Sequence, residues 1–137
     1  MTSSPDDNLL GSFVMFFDHG LLMIEDSESR AAHEGWDAAT QYVHFDQDSL
    51  FVAVQSVVDG PVSVSAYLDD VPSGETEGLV DAYSGEFDSN SGRFRIHDSD
   101  DRVVLTVTGR RGRNRLTVFV DELNWAARVV VIFSEPA

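Results

Sequence analysis

Two histidine and aspartate pairs in the sequence have the spacing of possible metal ligands. His44 and Asp46 are two residues apart in a strand-like segment, so their side chains would share one face. His33 and Asp37 are four residues apart in a segment with helical spacing, where they would again share a face. Two ligands do not make a metal site, and no HExxH or similarly dense spacing accompanies them. No transition-metal centre is therefore predicted, and no cofactor is expected.

Acidic loops offer a different kind of site, for calcium. Carboxylate oxygens from loops that converge at one end of a β-sandwich can bind Ca²⁺, although the sequence has no EF-hand spacing. A calcium-dependent module is therefore an alternative. Its candidate ligands are Asp69, Asp70, Asp98, Asp100 and Asp101.

The sequence carries no recognisable catalytic motif. It has no Cys, which excludes disulfides, thiolate catalysis and Cys-based zinc sites. It also lacks a Gly-x-Ser-x-Gly elbow and a glycine-rich phosphate-binding loop between a strand and a helix. Close carboxylate pairs arise by chance among 24 acids and do not indicate a catalytic dyad. The sequence thus predicts a protein that is not an enzyme.

Net charge is the strongest compositional feature of the chain. Its 24 acids and nine basic residues, all Arg, give a formal charge of -15. Residues 1–101 hold 21 of the acids and three Arg, whereas residues 102–137 hold three acids and six Arg. Such a surface would repel phosphates, so we expect a basic protein partner and no direct binding of nucleic acid. The alternative is that the acidity serves solubility or adaptation to salt.

One dense basic feature and two tryptophans leave further possibilities open. The arginines of the segment 110–115 would lie at a hairpin tip. There they could bind phosphate or a partner's carboxylates, neutralise the protein's own acidic surface, or keep a neighbouring sheet edge from aggregating. Trp36 and Trp125 are compatible with core packing or with stacking on a sugar. A carbohydrate-binding module is therefore a second form of the calcium alternative, and a structural oligomerisation domain is a third function class.

Most of the chain alternates apolar and polar residues in the manner of short strands. We predict nine to eleven strands, in a mainly β, antiparallel two-sheet β-sandwich of jelly-roll or immunoglobulin-like type. Residues 1–10 are expected to be a flexible lead-in, and residues 11–137 a single domain. The predicted strands are 13–17, 21–25, 42–46, 50–58, 62–68, 79–87, 93–97, 102–108, 116–120 and 127–133.

One segment departs from the strand pattern. Ala32, Trp36 and Ala39 recur at i, i+4 and i+7, a narrow apolar stripe that is typical of a helix. Asp26, or the serine that follows it, could cap the N-terminus of such a helix. The sequence therefore predicts one short helix near residues 27–40.

No targeting or membrane segment is apparent in the sequence. The first ten residues lack a basic region followed by an apolar stretch, and no apolar run approaches the roughly 18 residues of a membrane helix. We therefore expect a soluble, cytoplasmic protein without a membrane partner, and the sequence leaves its oligomeric state open.

The order of elements in residues 13–58 carries a family resemblance. An apolar strand at 13–17 leads into the acidic segment 26–39, which contains Gly35-Trp36 and Ala38-Ala39, and a strand at 43–45 ends in Phe. This order resembles the competence protein J family, bacterial inhibitors of a DNA-entry nuclease. In that family a β pair leads into a short acidic helix with an aromatic and small residues, and then into a strand that ends in Phe.

The resemblance implies a non-catalytic protein that binds and blocks a nuclease, and the charge of the chain agrees with this. A nuclease that grips DNA presents a basic groove, where an inhibitor's carboxylates can lie in place of phosphates. We predict that the acids in contact with such a partner are Glu25, Asp26, Glu28, Glu34, Asp37, Asp69, Asp70, Glu75 and Glu77.

Overall fold

Ten strands make up the fold in the computed structural model, which describes residues 8–37 and 39–136. This number lies within the nine to eleven strands predicted from the sequence. The strands are β1 Leu9–Met15, β2 Leu21–Asp26, β3 Val43–Asp46, β4 Ser49–Ala53, β5 Val62–Leu68, β6 Val80–Ser89, β7 Arg93–Asp98, β8 Val104–Thr108, β9 Gly112–Val120 and β10 Arg128–Ser134.

The strands form two five-stranded sheets. The first sheet has the order β1-β5-β10-β9-β6, and the second has the order β3-β4-β2-β7-β8. Neighbouring strands are antiparallel except for β5 and β10, which pair in parallel with Val64 opposite Val129. The mainly β class is therefore confirmed, while the expectation of purely antiparallel sheets is wrong for this pair. Neither the jelly-roll nor the immunoglobulin-like arrangement is confirmed.

The two sheets bury one hydrophobic core between them. Alternate residues of each strand point inward, for example Val62 and Val64 of β5 and Leu22 and Ile24 of β2, and all of these are fully buried or nearly so. Across the interface, the ring of Phe94 in the second sheet stacks on that of Phe133 in the first sheet, with 4.2 Å between centroids. This layering is that of a β-sandwich.

Each sheet also carries a long loop on its outer face. The 69–79 loop lies over the first sheet, where Val71 and Leu79 pack on a small cluster that contains Val130 and Ile132. The 27–42 loop lies over the second sheet and is described below. Both sheets therefore have one face in the core and one face partly covered by a connection.

The helix predicted near residues 27–40 is not present in the described part of that segment, which excludes residue 38. His33 and Gly35 have φ angles of 53° and 81°, which a right-handed helix cannot contain. The Asp37 side chain accepts a hydrogen bond from the Ala39 N–H at 3.0 Å, a local turn that competes with helix formation. Ala39 is itself exposed, so the apolar stripe that suggested a helix is not buried.

The first strand of the described residues is β1. Strand β1 begins at Leu9, two residues before the predicted start of the domain, and residues 1–7 of the expected lead-in lie outside the described residues. Within the described ranges, no helix is both long and apolar enough to span a membrane.

Candidate functional site

His33 fastens the 27–42 loop to the outer face of the second sheet. Its ring stacks on Phe51 of β4, with 3.6 Å between centroids and 8° between planes. Its Nε2 lies 2.8 Å from the Ser49 Oγ, and its Nδ1 lies 2.9 Å from the Nδ1 of His44. The His33 backbone N–H donates to Asp46 at 2.9 Å. One buried residue therefore connects the loop to both β3 and β4.

The polar contacts continue across the sheet to β7. The Ser49 Oγ donates to the Glu25 Oε1 at 2.9 Å, and the Glu25 Oε2 lies 2.7 Å from the Nε2 of His97. The other ring nitrogen of His97 lies 2.7 Å from a carboxylate oxygen of Asp101. A chain of hydrogen bonds thus runs from Asp101 through His97, Glu25 and Ser49 to His33.

Burial and hydrogen bonding set the charges in this network. Burial alone would raise the pKa of Glu25, but hydrogen bonds from His97 and Ser49 outweigh it and lower that pKa. Burial would lower the pKa of His97, but Glu25 and Asp101 outweigh it and raise that pKa. For His33, burial and the neighbouring His44 lower the pKa. The network therefore combines a charged Glu25–His97 pair with a His33 that favours its neutral form.

This network has a structural role rather than a catalytic one. Ser49 lies beside His33 in a contact that would suit an activated nucleophile, but the residue is fully buried. A substrate could not reach its hydroxyl. The hydrogen bonds instead satisfy polar groups that the loop covers, which holds the loop in one position.

Asp26 is a second buried acid with a structural role. Its carboxylate accepts hydrogen bonds from the hydroxyls of Ser89 and Ser91 and from the backbone N–H of Glu28. Burial would raise its pKa, but these hydrogen bonds outweigh it and lower the pKa. Asp26 thereby joins the end of β2 to the β6–β7 turn. Glu25 and Asp26, both predicted to contact a partner, are instead occupied by contacts within the protein.

Acidic side chains line three adjoining concavities beside the start of the 27–42 loop. Gln47 lines all three concavities, so they form one continuous region. Six carboxylates and two arginines, Arg30 and Arg113, contribute to the lining, which leaves four negative charges in excess. We call the six carboxylates the acidic surface: Glu28, Glu34, Asp46, Asp48, Glu86 and Asp88.

Segments of both sheets meet to build the acidic surface. The Asp26 N–H donates to the carbonyl of Asp48 in the β3–β4 turn at 3.0 Å, and the Ser27 N–H donates to the carbonyl of Arg93 at 2.9 Å. These bonds place the β3–β4 turn beside the β6–β7 turn. Of the predicted partner-binding residues, Glu28 and Glu34 belong to this surface. The other four acids were missed because only the tertiary fold brings β3, the β3–β4 turn and β6 together.

Several other predicted acids lie elsewhere. Asp37 is exposed in the second half of the 27–42 loop. In the 69–79 loop, Asp69 forms an ion pair with Arg110 at 3.0 Å and Glu75 forms one with Arg128 at 2.6 Å. This loop lies over the first sheet, and none of its acids lines the three concavities. The remaining predicted acids of that loop, Asp70 and Glu77, are exposed.

The arginine-rich segment 110–115 pairs with acids of the same molecule. It is not the hairpin tip predicted from the sequence, because β8 and β9 lie in different sheets. Arg113 contacts both Glu86 and Asp88 at 3.4 Å, and Arg115 contacts Glu86 at 3.6 Å. Together with the Arg110–Asp69 pair, these contacts neutralise carboxylates of the same protein. This matches the self-neutralising role considered from the sequence.

The five acids considered for calcium do not form a common site. Asp98 is buried and accepts the Val103 N–H at 3.2 Å, and Asp100 lies 3.1 Å from His19. Asp101 contacts His97, as described for the network above, and it also contacts Arg95. Across the two described ranges, no group of three or more His, Asp or Glu residues is arranged to hold a metal ion.

Both tryptophans lie in one pocket at an end of the second sheet. The pocket has a volume of about 450 Å³, and its aromatic lining consists of Trp36, Tyr42, Phe51 and Trp125. Trp36 meets Phe51 edge to face with 4.9 Å between centroids. The Trp125 indole donates to the Oδ2 of Asp59 at 3.0 Å. We call this the aromatic pocket. The sequence named both tryptophans as candidates for a ligand site but could not show that they lie together.

The fold is similar to that of a known inhibitor of a nuclease. No family model matches the sequence, and no curated protein matches it either. The structure is similar to that of ComJ, inhibitor of the DNA degrading activity of NucA, from Bacillus subtilis, with a TM-score of 0.68 and 11% identity over 93% of this chain and 97% of that one. It is also similar to a structure described as crocagin biosynthetic gene J, with a TM-score of 0.58 and 12% identity over 92% and 96% of the two chains. The resemblance to the competence protein J family is thus confirmed as a likeness of fold.

Proposed function

We propose that this protein is a non-catalytic inhibitor of a basic nuclease and that the acidic surface binds the nuclease. The observation that carries the proposal is the lining of three adjoining concavities by six carboxylates and only two arginines, although Glu86 is also paired with Arg115 from outside the lining. The similarity in fold to an inhibitor of a DNA-degrading activity supports the same function. The cytoplasmic location expected from the sequence belongs to this proposal.

The acidic surface suits a groove that binds DNA. A nuclease groove presents Arg and Lys to successive phosphates, and carboxylates held on turns can satisfy those cations in the absence of DNA. Opposite charges on the two surfaces accelerate the encounter and make binding sensitive to salt. Occupation of the groove would exclude the substrate, so inhibition requires no chemistry by this protein.

Charge reversal at the acidic surface tests the proposal. We would capture binding proteins from a lysate of the source cell at low salt, elute them with a salt step, and assay the eluate for DNA degradation. Adding the protein back should then inhibit the recovered nuclease. The double variant Glu28→Lys/Glu34→Lys should weaken inhibition roughly tenfold or more, because both side chains are exposed and part of the surface.

A matched control distinguishes binding through the acidic surface from binding that depends only on net charge. The double variant Asp70→Lys/Glu77→Lys makes the same charge change on the 69–79 loop, where both side chains are also exposed. It should leave inhibition nearly unchanged. Equal losses in the two variants would mean that net charge alone drives binding, and a larger loss in the control would assign the interface to the 69–79 loop. Recovery of no inhibited nuclease would overturn the proposal.

A further inference from the structure

We infer that the aromatic pocket receives an arginine side chain of a protein partner. The identity of that partner as a nuclease rests on the function proposed above, whereas the arginine specificity rests on the pocket itself. Three features of the pocket carry the inference: its open aromatic faces, its unbalanced carboxylate and its apolar rim.

The aromatic rings remain open enough to stack on a ligand. Trp125 is 52% exposed and Tyr42 is 47% exposed, although both line the pocket. The edge contact with Phe51 holds the Trp36 ring in position. A guanidinium group is planar, weakly hydrated and attracted to the face of an aromatic ring, so it suits such a pocket better than an ammonium group.

Asp59 gives the pocket a negative charge without a basic residue to balance it. Its Oδ2 accepts hydrogen bonds from Trp125 at 3.0 Å and from Ser56 at 3.3 Å. Its Oδ1 has no hydrogen-bond partner within the described part of the chain and is free to accept from a guanidinium. Among the described residues the lining contains no Arg, and the Nε2 of its histidine, His19, lies 3.1 Å from a carboxylate oxygen of Asp100.

Three exposed apolar residues adjoin lining residues of the pocket in the sequence, and this apolar rim indicates a protein as the source of the arginine. Val57 and Val58 precede Asp59 in sequence, Leu123 lies two residues before Trp125, and all three are exposed, Val58 by 87%. Apolar residues around a buried contact exclude water from it, as they do around the energetically dominant residues of protein interfaces. A free amino acid would leave this rim uncovered.

The 27–42 loop contributes to both the aromatic pocket and the acidic surface. Glu34 contributes to the acidic surface, and Trp36, two residues later in the 27–42 loop, lines the pocket. A basic partner bound to the acidic surface would therefore have the pocket close to its edge. The pocket would then slow dissociation, while the carboxylates accelerate the encounter.

Peptide binding observed at the two indole groups tests the inference. The chain has two tryptophans, so an NMR spectrum of the ¹⁵N-labelled protein has one indole N–H signal for each pocket tryptophan. The peptide acetyl-Gly-Arg-Gly-amide should shift both signals. The same peptide with citrulline in place of arginine, which has similar shape but no charge, should shift neither. Equal shifts with both peptides, or no shift with either, would overturn the inference.

Conservative variants and a sugar complete the test. Asp59→Asn keeps an acceptor for the Trp125 indole but removes the charge, and it should weaken binding of the arginine peptide about fivefold. Asp81→Asn, an exposed acid of the first sheet, is the matched control and should leave binding unchanged. Shifts produced by cellobiose but not by the arginine peptide would assign the pocket to carbohydrate instead.

Failure of this inference can be told apart from failure of the proposed function. If Glu28→Lys/Glu34→Lys abolishes nuclease inhibition while Asp59→Asn leaves it unchanged and the arginine peptide does not bind, the pocket inference is wrong and the inhibitor function stands. If the arginine peptide binds and depends on Asp59, but no nuclease is inhibited, the arginine specificity stands and the partner is another protein.

Discussion

The Nε2 of His97 lies 2.7 Å from a carboxylate oxygen of Glu25, on the outer face of the second sheet. The two residues belong to neighbouring strands, β7 and β2, and their side chains are only 5% and 15% exposed. An ion pair with so little access to water is weakly screened by salt. The pair therefore influences stability through pH far more than an exposed pair would.

The first prediction is a loss of stability at alkaline pH. Folding raises the pKa of His97 above its ordinary value of 6.5, since Glu25 and Asp101 outweigh the effects of burial and Arg95. The stability that protonated His97 contributes is therefore complete below pH 6.5 and is lost as the pH rises through the pKa of the folded state. Urea unfolding measured at several pH values should show this decline, and His97→Gln should abolish it. A decline of equal size in His97→Gln would contradict the assignment.

The second prediction concerns the acid side of the same profile. Folding lowers the pKa of Glu25 below its ordinary 4.5 and the pKa of His33 below its ordinary 6.5. The stability from each is complete above these values and is lost as the pH falls through the folded-state pKa. The free energy of unfolding should therefore fall below pH 6.5 as His33 is protonated, and fall again below pH 4.5 as Glu25 is protonated. His33→Gln should remove the first of these steps and leave the second.

The third prediction is that Ser49→Ala destabilises the protein by about 1–3 kcal/mol. The hydroxyl bridges Glu25 and His33 in a fully buried position. Its loss therefore removes one hydrogen bond from each partner, and water cannot reach the site to replace it. Urea unfolding measures the effect. Ser84→Ala, at an exposed serine of β6, is the control and should change stability by less than about 0.5 kcal/mol.

The fourth prediction separates structural acids from binding acids. Asp26→Asn replaces one acceptor oxygen with an NH₂ group that must face a donor, either a serine hydroxyl or the Glu28 N–H. It should lower the free energy of unfolding by about 1–3 kcal/mol. Glu28→Gln, at an exposed side chain, should leave stability within about 0.5 kcal/mol. Equal stability of the two variants would mean that Asp26 is not a structural residue.

The fifth prediction tests the core between the sheets. Phe133→Ala should cost about 3–5 kcal/mol, because the ring is fully buried and stacks on Phe94 of the opposite sheet. Phe16→Ala removes a ring that is 48% exposed and should cost much less. Thermal unfolding of both variants compares them directly, and similar losses would mean that the stack is not a principal contact between the sheets.

Strands with one buried face were the easiest part of this fold to predict. Residues 62–68 alternate apolar and small polar side chains, and β5 spans that same range with Val62, Val64 and Ala66 inward. A period of two residues follows directly from strand geometry, so a local pattern is enough to identify such a strand. The parallel pairing of β5 with β10 could not be predicted in this way, because it depends on residues far apart in the sequence.

The 27–42 loop shows why a local pattern fails elsewhere. Its apolar spacing suggested a helix, but the stacking of His33 on Phe51 and its bond to Ser49 stabilise a conformation with positive φ at His33. Those partners lie on other strands, so the sequence around His33 contains no sign of them. For the same reason, the acids of β3, of the β3–β4 turn and of β6 were not recognised as neighbours of Glu28 and Glu34.

The position of β10 in the first sheet has a consequence for folding. This strand follows all the others in chain order, yet it lies in the middle of its sheet and pairs with β5 on one side and β9 on the other. During synthesis, one edge of β5 therefore lacks its hydrogen-bonding partner until β10 emerges from the ribosome. Pairings that join distant segments form slowly, and an unpaired apolar edge can associate with other chains in the meantime. We expect the yield of native protein to be sensitive to temperature and expression rate, with chaperones protecting the chain until its last strand is in place.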